Sequence, residues 1–126
     1  LSIAGKDIDQ RIDNKKIILL GFKNKVSSLI KTYDSHNITI LPSFTEAHPK
    51  VIDESLARLR PVIIFNEIRH VVQNRHGIFV SKRNAKSLTM NIKFILKNYL
   101  NIQKKMKKNI LPTKKKFIHQ LIEILN

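Results

Sequence analysis

Short apolar runs alternate with amphipathic stretches along this chain, which predicts alternating strands and helices. Five runs rich in Ile, Leu, Val and Phe are typical of strands buried in a parallel sheet. They are residues 1–5, 16–22, 38–41, 62–65 and 78–80. The run at 16–22 is so continuously apolar that it predicts a strand covered on both faces. The pattern therefore indicates an α/β domain with a mainly parallel sheet.

Helices are predicted where apolar residues recur at spacings of three and four. One covers residues 23–35, and a second begins near Pro49 and ends before Pro61. Proline suits the first turn of a helix, where its missing N–H costs nothing, and it stops a helix elsewhere. Residues 66–72 predict a short irregular helix. The C-terminal helices are predicted at 84–100, at 102–110 and from Pro112–Thr113, with Thr113 as the cap.

Charge and composition narrow the function classes. The 126 residues suit one domain without repeats or a low-complexity linker, and 6–14 read as a polar loop with a helical turn. Twenty-four Lys plus Arg against nine Asp plus Glu give a net charge of +15. This charge predicts attraction to polyanions, namely nucleic acid, an anionic membrane or a phosphorylated ligand. Much of the excess lies at 93–116, where a solvated lysine-rich surface in a lysine-biased proteome is the alternative.

The motifs of several enzyme classes are missing. The sequence has no GxGxxG, no GxxxxGK[ST], no GxSxG and no HExxH, so P-loop, dinucleotide, serine-hydrolase and zinc-protease chemistry lack support. Without cysteine there is no disulfide or thiolate metal site. We expect no metal and no cofactor. The chain has neither an apolar run long enough to span a bilayer nor a signal-peptide pattern, which favours a cytoplasmic location.

The most informative stretch is 43–62, a strand–loop–helix–strand unit with two carboxylates. In such units ligands bind at the carboxyl ends of the strands, and a helix N-terminus there offers N–H groups to an anion. Glu46 lies in the loop and Glu54 about two turns further along. From the residues alone, the competing interpretation is that both are solvated surface carboxylates, with Glu46 complementing the helix dipole.

The setting of the two glutamates resembles a known family. Pro42–Ser43, Glu46 and Glu54 with seven residues between them, Ala57 and Pro61–Val62 resemble the carboxylate signature of GT-B glycosyltransferases, especially the retaining enzymes of family four. The flanking strands agree in order. The resemblance implies a Rossmann-like, mainly parallel sheet with helices on both faces and C-terminal helices. It also implies transfer of a glycosyl group, with retention, from a nucleotide sugar to an acceptor.

The resemblance also implies residue roles. Glu46, the catalytic candidate, would contact the donor sugar near its anomeric centre, and Glu54 would accept hydrogen bonds from the nucleotide ribose. Backbone N–H groups around Lys50 and Val51 would hold the diphosphate, with His48 and Pro49 in the same site. A helix N-terminus and basic side chains could carry the diphosphate charge without a divalent metal.

The chain departs from the family pattern in three ways. Ala47-His48-Pro49 replaces the usual glycines after the first glutamate, and Leu59 stands where a helix-ending glycine is usual. The family's phosphate-binding arginine and lysine, its first C-domain strand and its acceptor-binding N-terminal domain would precede residue 1. We therefore expect 1–126 to be one incomplete nucleotide-sugar-binding domain, inactive in isolation. The alternatives are a non-catalytic remnant or a basic module that binds nucleic acid or an anionic membrane. Nucleic acid is the less favoured partner, and a peripheral position on the inner membrane face would suit a lipid-linked acceptor.

Overall fold

The computed structural model describes residues 1–5 and 15–125, which fall into two compact units, Leu1–Ser35 and His36–Asn126. The loop predicted at 6–14 lies outside the described residues. In the first unit, β1 (Ser2–Ala4) pairs in parallel with β2 (Ile18–Gly21), with an irregularity between Ile3 and Ala4, and α1 spans Val26–Asp34. The helix predicted from residue 23 thus begins three residues later, at Val26.

One expectation for the first unit is wrong. The strand at 16–22 was expected to be covered on both faces, yet Ile18 is 59% exposed and Phe22 is 60% exposed. The described part of this unit contains one helix and a two-stranded sheet, which cannot cover both faces of a strand.

The second unit is built on a three-stranded parallel sheet. Its strands β3 (Thr39–Leu41), β4 (Val62–Phe65) and β5 (Ile78–Ser81) lie in the order β3-β4-β5. Val62 aligns with Thr39 on one side and with Ile78 on the other. All four residues of β4 are buried, as expected for a central parallel strand. The α/β prediction with parallel strands and flanking helices is confirmed, but the five described strands form two sheets.

The helices of the second unit are α2, a 3₁₀ helix, α3, α4 and α5. Their bounds are Lys50–Ala57, Asn66–Val72, Ala85–Lys97, Tyr99–Met106 and Lys114–Leu125, respectively. The two helices predicted at 84–100 and 102–110 are present as α3 and α4, but the break between them falls at Asn98, where the backbone leaves the helical region. The Asn98 amide donates to the Phe94 carbonyl at 2.8 Å, a side-chain bond that competes with helix continuation. The Thr113 cap is confirmed by a 3.2 Å bond from the Lys116 N–H.

The core lies between the sheet and three helices. Ile52 and Leu56 from α2, Ile95 from α3 and Met106 from α4 pack with β4, each at most 2% exposed. Burying such side chains is the main source of stability in a domain of this size.

Side chains of the segment 99–109 hydrogen-bond to backbone groups that precede the strands of this sheet. Gln103 donates to the Leu59 carbonyl ahead of β4 at 3.0 Å. Asn109 both accepts from the His76 N–H and donates to the His76 carbonyl ahead of β5, each at 2.8 Å. The opposite edge of the sheet, where the strands end, carries the loops with the predicted site residues.

Candidate functional site

Three segments meet where β3, β4 and β5 end. Because the strands are parallel, their carboxyl ends share one edge of the sheet, and loops after them can converge there. Pro42 and Ser43 follow β3, Glu67 follows β4 within the 3₁₀ helix, and Arg83 follows β5. The hydrogen bonds below show that these three segments do converge.

Glu46 is held from two directions. Its Oε1 accepts a hydrogen bond from the Ser43 hydroxyl at 2.7 Å, and its backbone carbonyl accepts from His70 Nε2 at 2.8 Å. A carbonyl has no proton to give, so Nε2 of His70 carries the hydrogen here. The glutamate is half-buried. Its carboxylate therefore keeps lone pairs for further donors while its backbone is fixed.

Arg83 connects the ends of all three strands. Its Nη1 donates to the Pro42 carbonyl at 3.0 Å and its Nη2 to the Ser43 carbonyl at 3.1 Å. Its Nε donates to Glu67 Oε1 at 3.1 Å. This hydrogen bond from Arg83 is the main reason that the pKa of Glu67 lies below its ordinary value, with the Glu67 backbone N–H adding to it.

The N-terminus of α2 follows the Glu46 loop. Pro49 is buried and takes the N-cap position with extended backbone, and it supplies no side-chain capping bond. The N–H groups of the first turn of a helix have no intrahelical acceptor. Lys50 is exposed at the first helical position, and Val51 behind it is half-buried. This helix end is suited to an anion by its dipole and its N–H groups.

Asp53 in the first turn of α2 is paired with two basic side chains. His48 Nε2 lies 2.8 Å from Asp53 Oδ2, and Arg75 Nη1 lies 2.6 Å from Asp53 Oδ1. Arg75 also donates to the Val71 carbonyl. A bare carboxylate would repel an anion from this helix end, and the Arg75 guanidinium offsets its charge. His48 thus contacts Asp53, and its side chain is 54% exposed.

A cleft of about 510 Å³ adjoins Asp53. It is lined by His48 and Arg75 together with His76, Lys108 and Lys116. Neither Glu46 nor Glu54 lines this cleft. Glu54 is half-buried, one residue beyond Asp53 on α2. The structure therefore brings Glu46, Pro49, Lys50, Val51 and Glu54 into one loop–helix segment and places His48 at its border with the basic cleft.

Sequence reasoning missed the residues that hold the loop. Arg83, Glu67 and His70 are separate in sequence from the 43–62 stretch, yet two of them bond to its backbone and the third anchors Arg83. Their position directly after strands of a parallel sheet was the available signal, because such residues meet at one edge.

The described part of the chain shows neither a metal-binding cluster nor a membrane-spanning helix. Residues 1–5 and 15–125 contain no group of three or more His, Asp or Glu side chains arranged to hold a metal ion. No helix in these ranges is long and apolar enough to cross a membrane.

A model of a known protein family matches most of the chain. The model of the family described as "Glycosyl transferases group 1" matches residues 4–111. None of the curated proteins and none of the solved structures gives a match. The matched region includes every strand end and loop described above except the start of β1.

Proposed function

This chain belongs to the group 1 glycosyl transferases, and on that premise we propose that it supplies the donor-binding part of an enzyme that transfers a glycosyl group, with retention, from a nucleotide sugar to an acceptor. The observation that carries the proposal is the fixed Glu46 loop leading into the N-terminus of α2, which has no side-chain cap. To bind a nucleotide sugar, a site needs groups that accept hydrogen bonds from the sugar hydroxyls, and beside them a place for the anionic diphosphate. This segment offers both.

Glu46 is the proposed contact for the donor sugar. The Ser43 hydroxyl and the His70 ring hold the residue, so its carboxylate enters the reaction without first being ordered. A carboxylate near the anomeric centre accepts hydrogen bonds from sugar hydroxyls and stabilises positive charge developing on the sugar ring. Both the hydrogen bonds and the charge stabilisation become stronger as the sugar approaches an oxocarbenium-like transition state.

The start of α2 is the proposed diphosphate site. Backbone N–H groups at Lys50 and Val51 would donate to the phosphate oxygens as negative charge accumulates on the departing nucleoside diphosphate. Glu54, further along the same helix, would accept from both ribose hydroxyls in charge-assisted hydrogen bonds. We propose that no divalent metal takes part, so chelation should leave nucleotide affinity unchanged.

Calorimetric titration of the full-length natural protein with UDP, GDP and ADP, with and without EDTA, tests the nucleotide part. Glu54→Ala should weaken the best-bound nucleotide about tenfold or more, because charge-assisted hydrogen bonds are lost. Glu123→Ala is the matched control, since that carboxylate is 65% exposed on α5. An unchanged dissociation constant for Glu54→Ala would remove the ribose role.

The sugar part is tested by the rate at which nucleoside diphosphate is released from a panel of UDP-, GDP- and ADP-hexoses. Glu46→Gln should lower this rate about a hundredfold, on the scale of a lost transition-state contact, with little effect on nucleotide affinity. Glutamine still accepts a bond from Ser43, so the loop is preserved. Equal losses of rate and nucleotide affinity would argue against a role specific to the sugar.

We also propose that the protein contacts an anionic lipid surface through one face of α3. Spacings of three and four place Met90, Lys93, Phe94 and Lys97 on that face, and Met90 and Phe94 are 64% and 54% exposed. Exposed apolar side chains among lysines are the pattern of an interfacial helix. Every lysine at 93–116 is exposed as well, so the charge is accessible.

Co-sedimentation of the full-length protein with phosphatidylcholine vesicles, with and without phosphatidylglycerol, tests this second role. Binding should require the anionic lipid and weaken with salt. Lys93→Glu with Lys97→Glu should abolish it, while Lys25→Glu with Lys31→Glu, an equal charge change on exposed positions of the first unit, should not. Salt-sensitive binding to duplex DNA without vesicle binding would favour the nucleic-acid alternative.

A further inference from the structure

Arg83 directs four of its five N–H groups to acceptors within the protein. Its Nε, Nη1 and Nη2 all donate to described groups, and Nη2 also lies 3.4 Å from Glu67 Oε2. Two of the acceptors are backbone carbonyls directly after β3, and the other is a carboxylate directly after β4. A planar guanidinium offers five N–H donors in a rigid fork, whereas a lysine ammonium offers three from a single nitrogen and cannot reproduce this arrangement.

Two aromatic rings fix the plane of this guanidinium. Its central carbon lies 3.9 Å from the ring centroid of Phe44 and 4.3 Å from that of Phe65. Phe65 is buried at the end of β4 and provides a rigid wall, while Phe44 belongs to the Glu46 loop and is 66% exposed. Phe44 therefore packs against the Arg83 guanidinium, and this contact restricts the conformations of the loop that carries Phe44.

The segment between β3 and α2 depends on these contacts for its path. Residues 42–49 form neither helix nor strand, so no backbone ladder orders them. Arg83 holds Pro42, Ser43 and Phe44, and Ser43 in turn donates to the Glu46 carboxylate. A chain of direct contacts thus runs from Arg83 to the carboxylate.

We infer that Arg83 is a positioning residue for the transfer reaction, holding the 42–46 segment so that Glu46 meets the donor sugar, an inference that rests on the proposed function. Arg83 acts through Ser43 and Phe44 and does not touch the donor. A misplacement of about 1 Å at a reacting group can cost about a hundredfold in rate, so a modest shift of this loop is enough to matter.

The alternative role for an arginine at this edge is direct contact with the donor phosphates. The Glu67 carboxylate offsets the charge of Arg83, with N–O distances of 3.1 Å and 3.4 Å, and the carbonyls of residues 42 and 43 occupy its other nitrogens. A phosphate that took more than one N–H of Arg83 would have to break bonds that are already made, because four of its five N–H groups donate within the protein. The two roles differ in their effect on nucleotide affinity.

The experiment is a double-mutant cycle in the full-length protein with Arg83→Lys and Glu46→Gln. The readouts are kcat for nucleoside diphosphate release from the hexose donor that the wild type releases fastest, and the dissociation constant of the matching nucleoside diphosphate. Arg83→Lys alone should lower kcat about ten- to a hundredfold and change nucleotide affinity less than about threefold. In the Glu46→Gln background it should lower kcat by less than about threefold, because it acts through that carboxylate.

Arg69→Lys is the matched control. Arg69 is exposed on the 3₁₀ helix and has no side-chain hydrogen bond to any residue in the described ranges, so its substitution should leave both readouts unchanged. Thermal melts of all variants show whether Arg83→Lys is folded. Should it unfold, Phe44→Leu, which removes one stacking ring and leaves the hydrogen bonds intact, takes its place in the cycle.

Three outcomes distinguish failure of the positioning role of Arg83 from failure of the proposed role of Glu46. If Arg83→Lys lowers kcat by the same factor with and without Glu46→Gln, the positioning role is wrong. If nucleotide affinity falls as much as kcat, Arg83 contacts the phosphates directly and the inference is wrong. If Glu46→Gln itself leaves kcat unchanged, the proposed role of Glu46 fails, and the inference that depends on it fails as well.

Discussion

The Tyr99 hydroxyl donates to the Asn37 carbonyl at 2.8 Å and accepts from Arg60 Nη1 at 3.1 Å. One side chain on α4 thereby connects the segments that lead into β3 and β4. Together with Gln103 and Asn109, it fixes the backbone segments that precede the three strands of this sheet.

Removing this hydroxyl should weaken the fold modestly. Tyr99→Phe should lower the free energy of unfolding by about 0.5–1.5 kcal/mol, the usual net value of hydrogen bonds whose partners can turn to water. Asn37 is exposed, which keeps the loss small. Urea denaturation measures it, and a loss far above this range would mean that the tyrosine contributes more than its bonds.

A side chain at Gly77 should be costly. Its φ is +90°, and an added Cβ would lie 2.5 Å from Cγ of Met106, which is 2% exposed. Gly77→Ala should lower the free energy of unfolding by about 1–3 kcal/mol through backbone strain and overpacking. Gly5→Ala is the control, because nothing lies within 4 Å of that added Cβ. Equal melting temperatures for the two variants would contradict this account.

Two residues with positive φ should respond differently to glycine. Gln73 has φ 48° and ψ −140° and is exposed, so Gln73→Gly should stabilise the fold by about 0.5–1 kcal/mol. Leu59 has φ 55° but packs against the core, so Leu59→Gly should lose about 1 kcal/mol net. Chemical denaturation of both variants shows whether the free energy of unfolding rises for Gln73→Gly and falls for Leu59→Gly. Stabilisation by Leu59→Gly would show that its strain exceeds its packing.

The two partners of Asp53 provide another matched pair. The Arg75 side chain is 10% exposed and would keep a buried charge if Asp53 were removed, whereas the His48 side chain is 54% exposed. Asp53→Ala should therefore destabilise by about 2–3 kcal/mol, and His48→Ala by less than about 1 kcal/mol. Thermal melts compare them. Similar losses would indicate that the histidine contact supports the helix end as much as the arginine does.

The stability of the fold should depend on pH in part through the ionisation of Glu67. Its folded-state pKa lies below the ordinary value of 4.5, chiefly because Arg83 donates to it. A depressed carboxyl pKa contributes stability that is complete above 4.5 and is lost as the pH falls through the folded value. Melting temperatures of wild type and Glu67→Gln should therefore differ near neutral pH and converge in acid. A difference that persists in acid would assign the effect to something other than ionisation.

The sequence predicted those parts of the molecule that depend on local chemistry. Apolar runs predicted the strands, and Pro49 predicted the start of α2. Asn98 shows the limit of periodicity, since the apolar spacing continues through it while the backbone leaves the helical region there.

The sequence shows that Arg83 and Glu67 follow strands, but their exact contacts with the site loop depend on the register of those strands. Arg83 reaches Pro42 across 41 positions of sequence, and only the alignment of Ile64 with Leu41 and Val80 brings the strand ends together. A one-residue shift of β5 would turn Arg83 to the other side of the sheet. Whether Glu46 and Glu54 bind a donor stays a prediction.

The fastening of the amino edge by 99–109 has a consequence for natural variation. Changes at Tyr99, Gln103 or Asn109 would alter how much folded protein a cell holds, without altering what each folded molecule does. Under the proposed function, changes at Glu46 would mainly alter activity per molecule, whereas changes at Glu67 would alter the stability of the fold as well. A survey of variants that scores abundance and activity separately should therefore find that changes at Tyr99, Gln103 and Asn109 mainly affect abundance. Changes at Glu46 should mainly affect activity.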